Sequence, residues 1–462
     1  MPLFSPDFVS IDGHPEIEPS LKLDFANARA LDPRVTFARA STATYVDSNG
    51  LVKIAGEDEA RFDHDPTTGE SLGLLIEEQR TNLIARSYGI GSGWGNNGTS
   101  TSTDFTAYSP YGVAVSTKIT EQNTNNYHAT YYQSVSVDGS SQYTLSAWLK
   151  KATTYNTSAN GTGNFQLYCS RGTGGVASIT IAPTFTSYSF NNADNASLTQ
   201  YPNGWIRVSL TFTSNAAATV DPHFLFGGGG FYQGDGTNAV YIWGVQFEQG
   251  SFVTSFIPTD GATVTRTVDT AQIDRIQFHN PSEFVLYAAG RSNTEASITS
   301  GSTTGCLVSL GDTTNDYRFM LRKYRYNSGS GINTGFTFRY RNANDGINMD
   351  MFPNYYDGLA DGYDTTTIAP IWDDFNTHRS ALAFEAGVST DNIRGCADGT
   401  LVVPEVTTPG SYSTVSNPTE YTQATTLQIG NGSSSGPFNG TISEVRYYPK
   451  RLPNAQLQTL TQ

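Results

Sequence analysis

The sequence predicts an all-β protein: two tandem antiparallel β-sandwiches of jelly-roll type, preceded by a short extended N-terminal attachment segment. Three observations predict it. Charged residues make up only 15% of the 462-residue chain while aromatics reach 12%, a mix that suits many short strands joined by turns rather than a charged helical surface. Apolar residues recur with period two, the spacing that puts alternate side chains on one face of a strand, with no intervening helical period. Runs rich in Gly, Ser, Thr and Asn punctuate these segments at turn spacing. With 25 Phe and 26 Tyr available to fill cores, disorder is not expected.

Taken in order, residues 1–87 are the most polar part and are expected to attach or oligomerise. Within them Leu21, Leu23 and Phe25 share one face of an extended run. Ala43 to Val46 and Leu51 to Ile54 flank Asp47-Ser48-Asn49-Gly50, where Asn-Gly supplies positive φ for a hairpin. Leu74-Leu75-Ile76 reads as a short buried strand. Residues 88–259 are expected to form the first sandwich. Its clearest strand is Trp205 to Thr213, with Ile206, Val208, Leu210 and Phe212 toward the core and Arg207, Ser209, Thr211 and Thr213 toward water. Tyr143 to Lys150 and Val240 to Glu248 follow the same logic. Residues 260–276 are expected to be an extended linker packed against a module. Residues 277–462 restart the strand pattern, with runs at Phe284 to Ala289, Cys306 to Leu310, Phe336 to Tyr340, Ser380 to Phe384 and Thr426 to Ile429.

Composition also excludes partners. A formal charge of −15 opposes nucleic acid, whose phosphates require clustered Lys and Arg. No run approaches the roughly 18 apolar residues of a membrane span. Met1 to Ser10 carries no basic residue or apolar stretch of signal-peptide length, so synthesis and assembly in a cytoplasm are expected. Cys169, Cys306 and Cys396 form an odd, widely spaced set that reads as buried thiols.

Phe37-Ala38-Arg39-Ala40-Ser41-Thr42-Ala43-Thr44-Tyr45-Val46-Asp47, Arg61-Phe62-Asp63-His64-Asp65 and Gly73 to Leu83 together resemble a segment recurring in structural proteins of tailed phages and prophages. The resemblance spans roughly residues 20 to 84 and implies virion attachment or a fibre role, without assigning catalysis. Tyr143 to Trp148, Gly204 to Val208 and the ending Tyr241 to Glu248 with Phe256 to Thr259 resemble the carbohydrate-binding jelly rolls appended to phage fibres. Residues 277–462 are similar to laminin G or concanavalin-like sandwiches, whose closing strand and short helix match Phe438 to Tyr448 and Leu452 to Leu457. Both modules are therefore expected to be lectin-like, a statement about fold more than ligand.

Catalysis is not expected. Glycoside hydrolysis needs two carboxylates flanking one bond, and the concanavalin-like hydrolases carry Glu-x-Asp-x-Glu on one strand. Here Glu57-Asp58-Glu59 is contiguous in a loop, and Glu248, Glu385 and Glu444 are single acids at strand ends. Gly93 to Gly98 and Gly432 to Gly436 match nucleotide-loop and nucleophile-elbow patterns only formally, lacking the strand-to-helix context. The six His residues show no paired-ligand spacing, so no catalytic metal is expected.

Binding chemistry fits better. A sugar offers an apolar face that stacks on an aromatic ring, and hydroxyls that pair with carboxylates, amides and guanidiniums. One candidate region is the loop holding Tyr355, Tyr356, Asp357, Asp361, Tyr363, Asp364, Trp372, Asp373 and Asp374; the other is Phe231, Tyr232 and Gln233, carried between Gly runs. The loop's oxygen-rich acids could alternatively hold a structural Ca²⁺; no other cofactor is expected. The leading expectation is a non-enzymatic phage virion surface protein, a tail fibre or fibre-like adhesin contacting host-cell glycans. As a homotrimer it would turn weak single sites into avidity, with its N-terminal segment contacting other virion proteins. The alternatives are a capsid-decorating or baseplate protein making only protein contacts, and a polysaccharide depolymerase.

Overall fold

The computed structural model describes residues 17–158, 162–293, 301–312, 317–327, 332–342, 347–351, 376–387, 393–402, 421–422, 424–432 and 436–462. They build the all-β architecture that the period-two pattern requires, with one sandwich inserted into the other.

The outer, discontinuous sandwich is assembled from both ends of the chain. Its first sheet runs Thr400–Val402, Ile393–Ala397, His378–Glu385, Glu283–Ser292, Gly440–Tyr448, Ser71–Ile76, Phe62–His64. Leu21–Asp24 also pairs with Gly440–Tyr448, in the register Leu21 opposite Tyr447. The second sheet runs Thr36–Ala38, Thr270–Ile273, Thr426–Ile429, Gly301–Gly311, Tyr317–Asn327, Ile332–Asn342, Ile347–Met351. The described part of residues 1–87, the segment read from sequence as an attachment segment, therefore supplies strands to both sheets, and 260–276, read as a linker, supplies another. The reason is burial: Leu21, Leu23 and Phe25 share an apolar face as expected, and that face needs a partner. It packs with Phe37, Ala271, Ile273, Phe284, Leu310 and Tyr447 in a single core.

The inserted sandwich holds two six-stranded sheets. One runs Asn195–Gln200, Trp205–Thr213, Gln142–Lys151, Ala239–Gln249, Ser116–Glu121, Thr99–Asp104; the other runs Tyr188–Asn191, Val176–Ile181, Phe165–Ser170, His223–Phe226, Ala129–Tyr132, Trp94–Asn97. Ile206, Val208, Leu210 and Phe212 point inward as the alternation predicts. Ser209 and Thr211, expected to face water, are buried instead. The Thr211 hydroxyl meets that of Thr144 at 2.9 Å, and Thr144 is bonded in turn to the Gly250 carbonyl. The 252–256 segment lies against the same face, where Arg207 donates to the Thr254 carbonyl at 2.8 Å.

The chain enters and leaves the insertion side by side. Arg80–Asn82 pairs antiparallel with Val264–Arg266, with Asn82 opposite Val264. Behind this ribbon lies a buried ionic cluster. The Arg39, Arg61, Arg266 and Asp269 side chains are fully buried and that of Glu77 is 4% exposed. Arg61 bridges Glu77 at 2.7 Å and Asp269 at 2.5 Å; Arg39 reaches Asp269 at 3.2 Å, and Arg266 bonds Glu77 and the Glu78 carbonyl. Burial alone would raise the Glu77 carboxyl, but the Arg266 and Arg61 guanidiniums hold it down at about 2. Arg39, Arg61 and Glu77 of the 37–83 strings are thus spent on this junction.

Candidate functional site

The outward face of the second sheet of the insertion carries the candidate site. Phe165–Ser170 alternates buried and half-buried residues, so Phe165, Leu167 and Cys169 enter the core and Tyr168 points out. The register sets Tyr131 opposite His223 and His223 opposite Tyr168, which places three rings in one row across three strands. Tyr131 stacks on His223 with centroids 5.0 Å apart at 20°, and His223 on Tyr168 at 4.4 Å and 16°. Gly95 lies under Tyr131, where a Cβ would come within 2.6 Å of the ring. Any larger residue there would push the Tyr131 ring aside.

The row continues toward an exposed edge. Tyr127 donates from its hydroxyl to that of Tyr168 at 2.9 Å. In the small ribbon formed by Asn125–Tyr127 and Phe231–Gln233, Tyr127 stands opposite Phe231, their rings 6.3 Å apart. Phe231 is 76% exposed, although burying such a ring would gain about 2 kcal/mol. It follows Gly227 to Gly229, all at positive φ between 66° and 88°, a path that L side chains rarely adopt.

The three residues singled out in this stretch separate by strand parity. Phe231 and Gln233 project to the surface; Tyr232 turns inward. Its hydroxyl donates to Glu121 at 2.5 Å and its ring sits 4.5 Å from that of His128. Glu121 also accepts from the Asp235 N–H at 2.8 Å and the Asn238 amide at 3.1 Å, so Tyr232 and Glu121 fix the ribbon that presents Phe231. Gln233 donates to Asn123 at 2.7 Å, Asn126 to Asn97 at 2.9 Å and Gln166 to Thr180 at 3.0 Å. These amides fringe the rings with donors and acceptors.

The platform is uncharged near neutrality. Burial pulls His223 down to about 4, with Asp221 opposing only in part. Burial likewise raises the Tyr127 and Tyr168 phenols, which keep their protons and can donate. The signal in the sequence for Tyr127, Tyr131, Tyr168 and His223 was weak: each is the lone aromatic or imidazole at an outward position of its own strand. Only the cross-strand register joins them.

Tyr355, Tyr356, Asp357, Asp361, Tyr363, Asp364, Trp372, Asp373 and Asp374 lie outside the described residues. The single acids considered for catalysis are held apart. Glu248 is buried and accepts from Gln246 at 2.8 Å and from the Thr254 N–H and hydroxyl at 2.9 and 2.7 Å. Glu444 is clamped by Arg446 at 2.6 and 2.7 Å. Glu385 stands opposite Glu283 in the first sheet of the outer sandwich. Among the described residues, no group of three or more His, Cys, Asp or Glu could hold a metal ion, and no helix is long and apolar enough to cross a membrane.

No family model matches the chain, and no curated protein does either. Among solved structures, the carbohydrate-binding module (CBM40) of a Ruminococcus gnavus IT-sialidase is similar at 17% identity and TM-score 0.25, over 39% of this chain and 84% of that one. Domain 4 of the Geobacillus stearothermophilus arabinanase AbnA, solved with arabinotriose, is similar at 12% identity and TM-score 0.27, over 46% and 82%. Domains LG4-5 of the mouse laminin α1 chain are similar at 11% identity and TM-score 0.21, over 81% and 94%. These likenesses are distant.

Proposed function

We propose that this chain is a non-enzymatic glycan-binding protein whose binding surface is the aromatic platform ending at Phe231. The observation that carries the reading is the 76% exposed Phe231 ring, held on a ribbon that Glu121 and Tyr232 fix by hydrogen bonds. A rigid apolar face beside amide donors and acceptors matches a sugar ring, which presents C–H groups on one face and hydroxyls at its edge. Of the acids considered for catalysis, Glu248 is tied to Gln246 and Thr254 and Glu444 to Arg446, which favours binding over hydrolysis.

The finer reading is a virion surface adhesin of a tailed phage acting as a homotrimer. It is supported by the resemblance of the 37–83 strings, and a trimer would multiply weak sites through effective concentration. Because Arg39, Arg61 and Glu77 of those strings are buried at the junction, attachment to other virion proteins falls to surface residues around them.

A glycan array probed with the full chain and with Phe231→Ala tests the binding reading. The expected result is a defined set of bound glycans whose signal drops at least ~10-fold in the variant, as when a central aromatic contact is truncated. A blank array, or a signal indifferent to Phe231, overturns it. Light scattering of the same sample checks the trimer.

A further inference from the structure

The two sheets of the inserted sandwich differ sharply in charge. In the second sheet, none of Tyr188–Asn191, Val176–Ile181, Phe165–Ser170, His223–Phe226, Ala129–Tyr132 and Trp94–Asn97 contains Asp, Glu, Lys or Arg. Nor does the ribbon of Asn125–Tyr127 and Phe231–Gln233. In the first sheet five of six strands are charged, with Asp104, Lys118, Lys150, Arg207 and Glu248 each on a different one. We propose, resting on the glycan-binding reading of the platform, that its ligand is an uncharged oligosaccharide laid across the strands, and that glycans bearing carboxylate, sulfate or phosphate are refused.

Register carries one row of outward side chains over all six strands of the second sheet. Asn191 stands opposite Ser178, Ser178 opposite Tyr168, Tyr168 opposite His223, His223 opposite Tyr131 and Tyr131 opposite Gly95. Five strand spacings of about 4.8 Å make the row about 24 Å long, room for several sugar units in line. Ser189, Thr180 and Gln166 form a second line beside it, again opposite one another. Their hydroxyls and amide both donate and accept, as sugar hydroxyls do. Further along that line a Cβ on Gly229 would lie 3.7 Å from Leu225 and from the Tyr127 ring, so the ribbon that bears Phe231 walls this side of the strip.

Binding an acidic sugar draws on Arg or Lys, whose charge-assisted hydrogen bonds offset the desolvation of the anion. These strands supply neither. Arg171, next after Phe165–Ser170, is drawn toward the first sheet, its Nε donating to the Thr213 carbonyl at 3.0 Å. Acids border the platform instead. Asp221, which accepts from the Ser134 N–H at 2.7 Å, acts electrostatically on both His223 and Tyr168. Asp235 accepts from the Thr237 and Asn238 N–H groups at 2.7 Å, and Glu121 lies behind Tyr232. Added to a net charge of −15, these carboxylates repel an approaching anion and leave a neutral chain unaffected.

The test is a glycan array printed with matched pairs, each neutral chain beside its sialylated, uronic-acid or sulfated counterpart, and probed with the full chain. The neutral member is expected to exceed its acidic partner at least ~10-fold, since like charges brought together are costly. Its signal should stay within about 2-fold between ~0.05 M and ~1 M NaCl, there being no ion pair to screen. Asn191→Arg places a cation at an exposed position at the end of the row away from Tyr131. It should raise the acidic members at least ~10-fold, a gain lost again at ~1 M NaCl. Acidic members bound by the wild type as strongly as their neutral partners overturn the charge selection and leave the platform standing. Acidic members still unbound by Asn191→Arg overturn the run across the strands. An array blank for every glycan overturns the platform reading itself, and the selection with it.

Discussion

Removing Asp269 should destabilise the protein more than removing Arg61, although Arg61 makes more contacts. Asp269 accepts from Arg61 at 2.5 Å, Arg39 at 3.2 Å and the Glu77 N–H at 2.8 Å. In Asp269→Ala three buried guanidiniums face the single carboxylate of Glu77, and Arg39 loses its carboxylate partner. Breaking a buried pair from one side costs about 3–5 kcal/mol, because the surviving charge stays desolvated. Arg61→Met forfeits bonds to Thr44, Glu77, Ser255 and Asp269, yet it leaves Arg39 with Asp269 and Arg266 with Glu77, two charges against two. Its cost should be about 1–3 kcal/mol, the range of net charged hydrogen bonds with some packing restored by Met. At roughly 2–4 °C per kcal/mol for a unit of this size, calorimetry should show Asp269→Ala melting about 10 °C below wild type and Arg61→Met about half as far. If Arg61→Met melts at or below Asp269→Ala, charge balance is not what governs this junction.

Three further outcomes follow from the same geometry. Phe231→Ala should leave thermal stability within about 0.5 kcal/mol of wild type, as exposed positions do, so that any loss on the glycan array is a binding effect. His223 is held at about 4 against an ordinary 6.5; between those values the unfolded chain takes up a proton that the folded chain does not, so stability falls as pH drops through the window. His223→Phe should flatten that part of the melting-temperature profile while Glu77, held down at about 2, keeps its loss at lower pH in both proteins. Finally, because Asn82 and Val264 are direct cross-strand partners, replacing 83–263 by an Asn-Gly turn should leave a folded outer sandwich, read by circular dichroism and a cooperative melt. The excised 83–263 segment, with a core of its own, should fold separately.

Local alternation was legible and long-range pairing was not. Trp205–Thr213 and the Asn-Gly hairpin at Ala43–Val46 and Val52–Ala55 follow from period and turn chemistry. The closing strand was visible too, but nothing local says that Leu21 would lie against Tyr447, a pairing across most of the chain. The polar N-terminal strings read as an attachment segment because charges are ordinarily at the surface; Arg39 and Arg61 are interior because Asp269 meets both, and Glu77 because Arg61 and Arg266 meet it. Ser209 and Thr211 misled for the same reason, their hydroxyls being satisfied under a covering segment. In the platform, the Gly runs pointed to Phe231, whereas the inward turn of Tyr232 depends on parity within a three-residue strand.

The paired crossings at Arg80–Asn82 and Val264–Arg266 also have a mechanical meaning. A pull on the inserted sandwich divides between two strands of chain that run side by side, each carrying part of the load into the outer sandwich. A protease that cuts one crossing severs neither lobe from the other, since the second strand still joins them. The lobe that carries the platform is moored twice.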